Sequence, residues 1–75
     1  NSILIGITPG GQVFYGGREI GIDGVRPTVS RLLLQESMPV IIQADRAAPT
    51  ESTVQVLDEA KMGGAQQVFV STVND

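Results

Sequence analysis

The 75-residue chain carries 8 acidic against 5 basic side chains, a net charge of −3, and contains neither cysteine nor histidine. Disulfide staples and thiolate zinc sites are thereby excluded, and the side chain most used for proton transfer near neutral pH is missing. Scattered charge and only three aromatic residues also disfavour nucleic-acid binding, which needs a basic stripe and stacking platforms.

Ser2 to Thr8 reads as a strand, with Ile3, Ile5 and Ile7 on one face and Leu4, Gly6 and Thr8 on the other. Pro9-Gly10-Gly11 makes a turn, because proline fixes φ early and glycine accepts positive φ after it. Gln12 to Tyr15 returns as a second strand, so the opening is a β-hairpin. Gly16-Gly17 interrupts it, and Arg18-Glu19-Ile20 resumes as a short third piece. The first helix is expected to begin between Asp23 and Arg26, nearer Arg26, because that start leaves Pro27 in the first turn, where an N–H is not needed. Val25, Val29, Leu32 and Leu33 then share an arc of about 100° that forms the core stripe, while Leu34 points the other way. Pro39 disfavours helical geometry at the residue before it, so this helix ends by Ser37 or Met38.

Pro39 to Val73 reads as strand, helix, strand. Val40-Ile41-Ile42-Gln43-Ala44 is a β-branched run, and Asp45-Arg46-Ala47-Ala48-Pro49 is a turn-forming exit. The second helix spans about Thr50 to Met62, with Thr50 or Ser52 as its cap, Glu51 near the positive end, Lys61 in the last turn and Gly63 as the left-handed terminal residue. Its apolar face takes Val54, Val56, Leu57 and Ala60 with Thr53; Glu51, Gln55, Asp58 and Glu59 face water. Gln67-Val68-Phe69-Val70-Ser71 closes as a strand, most simply a parallel neighbour of the Val40 run with a right-handed crossover. The fold class that follows is α+β: a single domain over 1–75, with a small mixed sheet made from the hairpin plus a βαβ unit and two helices packed on one face. Val40, Ile42, Val68 and Val70 would meet the helices. Ile41, Gln43, Phe69 and Ser71 would point away, joined by one face of the first strand. That outer face is either an apolar patch that a partner covers or a scatter of ordinary surface residues.

Motifs that could carry chemistry have simpler readings. Pro9-Gly10-Gly11 lies in a hairpin, not between strand and helix, so it is no phosphate loop. Asp58 and Glu59 are adjacent on a helix and diverge by about 100°, which suits a solvated face more than a metal. Asp45 stands at the carboxyl end of a strand, where α/β sheets often hold ligands. An Asx-type turn, with Arg46 as ion-pair partner, accounts for it more simply. The single lysine, Lys61, ends a helix, and no serine or threonine has an evident activator, so the chain reads as noncatalytic, without cofactor or metal. The longest apolar runs, Ile3-Leu4-Ile5 and Val40-Ile41-Ile42, are far below the roughly 20 residues of a membrane helix. A chain opening Asn1-Ser2 without methionine reads as an excised piece.

The segment Val40 to Pro49, followed by Val54-Gln55-Val56-Leu57-Asp58-Glu59-Ala60-Lys61-Met62-Gly63-Gly64 and on to Val68, resembles the carboxy-terminal domain of the ExbD/TolR family. The shared pattern is an apolar strand, Ala-Asp, a basic residue, a proline turn, an apolar helix with a late Asp and Ala, a glycine and a closing apolar strand. Ile5-Gly6-Ile7-Thr8 and Tyr15-Gly16-Gly17-Arg18-Glu19-Ile20 look more like the ExbD branch than the TolR branch. Thr50-Glu51 stands where the family often has Tyr-Gly.

The resemblance implies a periplasmic domain of a single-pass inner-membrane protein that assembles with an ExbB-like partner into a proton-driven motor energising a TonB-like transducer. The family's proton-carrying aspartate lies in its membrane helix, so Asp45 does not inherit that role. What it implies for this chain is a dimerising, transducer-binding module. Its contacts are expected on Ile41, Gln43, Val68, Phe69, Val70, Ser71 and Val73, through an open strand edge supplied by Gln67 to Val73 or by the first strand. The alternatives are a TolR-like domain that binds peptidoglycan for envelope integrity and, from a different class, a small-molecule sensor using the Asp45 turn.

Overall fold

The computed structural model describes residues 1–73. The chain forms β1 (Ile3–Ile7), β2 (Val13–Tyr15), β3 (Arg18–Glu19), α1 (Gly21–Leu33), β4 (Val40–Asp45), α2 (Thr50–Met62) and β5 (Val68–Val73). The strands make one mixed sheet in the order β3-β2-β1-β4-β5, so the fold is the α+β arrangement that the hydrophobic pattern implies. β1 pairs antiparallel with β2 and parallel with β4, and β4 pairs parallel with β5. Gly16 and Gly17, at φ 61° and 79°, form the two-residue turn that pairs Tyr15 with Arg18.

Alternation puts Ile3, Ile5, Ile7, Val13, Val40, Ile42 and Ala44 on the helix side, where they are buried with Val25 and Val29 of α1 and Val56 and Ala60 of α2. Complete burial of such a side chain contributes roughly 1.5–3 kcal/mol each. Both helices return the chain from the carboxyl ends of the parallel strands to their amino ends, and so lie side by side in the same sense.

The helix boundaries correct the sequence reading in three places. α1 starts at Gly21, ahead of the expected Asp23 to Arg26 window: Ile20 N–H donates to the Val13 carbonyl, and Gly21 at φ 69° swings the chain directly into the helix. Pro27 consequently stands inside α1, which forgoes the bond to the Asp23 carbonyl that another residue would make. α2 takes no side-chain cap from Thr50 or Ser52; Pro49 holds the cap position and its carbonyl accepts from Ser52 N–H. At the other end Gly63 is right-handed, φ −76°, and Gly64, at φ 107°, makes the positive-φ exit. Val54, expected on the core face, is half exposed, because the buried arc of α2 centres on Val56 and Ala60.

Candidate functional site

The sheet has helices on one side only, and the strand registers align its open face in rows. Leu4, Ile41 and Phe69 are direct neighbours across β1, β4 and β5. The next row runs Glu19, Phe14, Gly6, Gln43, Ser71, and beyond it Asp45 stands beside Val73. Ile41, Gln43, Phe69, Ser71 and Val73 therefore share one surface, as alternation implies. Val68 and Val70 lie on the opposite, helix-facing side of β5. Phe14 was missing from the sequence reading of this face. Its position between inward-facing Val13 and Tyr15 in a short strand was the available signal.

β5 is an edge strand, and β1 is not. β1 lies between β2 and β4, so the expectation that the first strand could offer a free edge is overturned by the strand order. Val40 N–H donates to the Gln67 carbonyl and Arg46 N–H to the Val73 carbonyl. In a parallel ladder this parity turns the backbone of Phe69, Ser71 and Val73 toward β4 and leaves the N–H and C=O groups of Val68, Val70 and Thr72 facing outward. That free edge is apolar on both flanks. On the open face Phe69 is 54% exposed; on the helix face Val70 is 50% exposed and Val54 48%. A charged or proline-bearing edge would discourage pairing, and Val68–Val73 contains neither.

Asp45 is accounted for by structure. Its Oδ1 accepts from Ala47 N–H at 2.9 Å and its carbonyl from Ala48 N–H at 2.8 Å, an Asx turn that sets the chain for α2. Arg46 makes no ion pair with it; among the described residues the salt bridge is Arg26 to Glu59, linking α1 to α2. No helix among these residues is long and apolar enough to cross a membrane.

No family model matches the chain. Over 70 residues, 92% of its length, it is 31% identical to the biopolymer transport protein exbD2 of Vibrio cholerae, and it spans 52% of that protein. An alignment of that length takes in both helices and most of the sheet. The chain is thus, over nearly its whole length, a relative of an ExbD-type biopolymer transport protein.

Proposed function

We propose that this chain is the periplasmic domain of an ExbD-like subunit of a proton-motive-force-driven inner-membrane motor, in which it dimerises and engages a TonB-like energy transducer. The observation that carries the reading is the β5 edge, with its outward backbone groups and its apolar residues on both flanks. Main-chain hydrogen bonds along such an edge supply affinity, and flanking side chains supply selection. In a two-fold antiparallel pairing the axis passes at Val70, which sets Val70 against its own copy and Val68 against Thr72. On the open face the same register puts Phe69 opposite Ser71. An extended transducer segment would use the same backbone groups, so self-pairing and transducer binding compete for one edge. In this reading an ExbB-like partner meets the membrane helix of the family, and no carboxylate of this domain carries the proton.

Sedimentation and amide NMR test the proposal together. The domain should self-associate, and a peptide from the periplasmic linker of a TonB-like protein should shift amides of Gln67 to Val73 while dissociating the dimer. Val70→Pro is the decisive variant, because the lost N–H faces outward and the fold should survive. Unchanged self-association and peptide binding in a folded Val70→Pro domain, and again in Phe69→Ala, would sink the proposal. Shifts with peptidoglycan fragments in place of the peptide would favour the TolR-like cell-wall role instead.

A further inference from the structure

On the side of the molecule away from the open face, the start of α1 and the second half of α2 enclose a groove of about 670 Å³. Its lining is mixed: the apolar part is Ile20 and Ile22, partly buried, and Met62, largely exposed, and Gln55 is a polar neighbour. Its rim is acidic, with Asp23 from α1 and Asp58 and Glu59 from α2, and no basic side chain lines it. Arg26, outside the lining, is bonded to two of its residues: its Nε and Nη2 donate to the two Glu59 carboxylate oxygens at 3.2 and 3.1 Å, with Nη2 also 3.1 Å from the Met62 sulfur. Glu59 is thus compensated, whereas Asp23 and Asp58 have no ion-pair partner among the described residues. These carboxylates do not converge as a metal cage would; among the described residues no such cluster exists. They lie along a partly apolar trough, which suits an extended ligand that is cationic and aliphatic by turns. A second copy of this chain has the wrong sign, at a net −3.

We infer that this groove is a second docking site, distinct from the β5 edge, for a basic segment of a partner protein. A lysine or arginine of that segment places its charged head between Asp23 and Asp58 and its aliphatic stem on Ile20, Ile22 and Met62. Because groove and edge lie on separate parts of the domain, one protomer can hold a basic segment while paired through β5. The site is therefore independent of the dimer and transducer reading above.

The probe is a blocked Lys-Leu-Lys-Leu-Lys peptide, with Glu-Leu-Glu-Leu-Glu as its charge-reversed control, followed by amide NMR and calorimetry. The lysine peptide should shift Ile20 to Asp23 and Gln55 to Met62, and raising salt from about 50 to about 500 mM should weaken it strongly, because exposed charges are screened. Asp23→Asn/Asp58→Asn should weaken it about tenfold or more. Both carboxylates are exposed, so this variant should keep a dispersed spectrum; single Asp58→Asn should fall between it and the parent. Val70→Pro should bind the peptide as the parent does, which separates this result from any failure of the edge proposal. Absence of binding, equal binding of the glutamate peptide, an unchanged affinity in the double variant or shifts confined to β5 would each overturn the inference. So would concentration-dependent shifts in the groove without peptide, which would assign it to a second copy.

Discussion

Gly63 and Gly64 end α2 for different physical reasons. Gly63 has an ordinary backbone, but a Cβ there would lie 2.9 Å from the Arg26 carbonyl oxygen and 3.1 Å from Val29 Cβ, so its smallness lets the two helices touch. Gly64 has room around it and instead needs φ 107°. Gly63→Ala should cost about 1–3 kcal/mol by overpacking, and Gly64→Ala about 1 kcal/mol or more by strain. Denaturant unfolding with Val29→Ala as second site should separate the two, since Gly63→Ala should couple to Val29 and Gly64→Ala should simply add. A Gly-Gly pair after an amphipathic run marks a helix stop in any sequence, but the division of labour depends on α1, some thirty positions away, and no local pattern reports it. The Arg26–Glu59 bridge has side chains 49% and 21% exposed. Glu59→Gln should therefore change stability by no more than about 1 kcal/mol, with the difference shrinking in high salt.

At the scale of elements, the strand faces were legible because a period of two survives any strand order. Ile3, Ile5 and Ile7, and Val40 and Ile42, declare one buried face by alternation alone. Strand order was not legible, since β1 becomes interior only when β4 pairs with it, five residue pairs in register from Ile3–Val40 to Ile7–Ala44. The start of α1 was misplaced because Pro27 was given the first turn, whereas Gly21 and the Ile20–Val13 bond set the boundary earlier. The β5 ladder offers a directional check. Ser71 bonds inward and Val70 outward, so Ser71→Pro should break the sheet and cost about 3 kcal/mol or more, while Val70→Pro should leave the monomer close to parental stability. Equal losses of thermal stability in the two variants would refute the assigned parity.

For the whole molecule, size is the governing fact. A domain of 75 residues buries only about 60% of its unfolded surface, and here one face of the sheet is left uncovered. Within the core there is little redundancy: Ile42, fully buried under α2 and between two strands, should cost about 2–5 kcal/mol when cut to alanine. Pairing through β5 would bury Phe69, Val70 and Val54 at once, so the melting temperature should rise with protein concentration for the parent domain and stay flat for Val70→Pro. A flat profile for both would remove the dimer from the account.

The shared direction of β1, β4 and β5 has a mechanical consequence. Asn1 leads into the amino end of β1, and an occupant of the β5 edge would be separated from β1 by two strands, β4 and β5, in a body measuring 32 × 21 × 20 Å. Tension between Asn1 and that occupant along the strand axis would load the β1–β4 and β4–β5 hydrogen bonds in shear, all resisting together, whereas a sideways pull would peel them apart one after another. With that edge occupied, the domain would resist load along one axis and yield to it across.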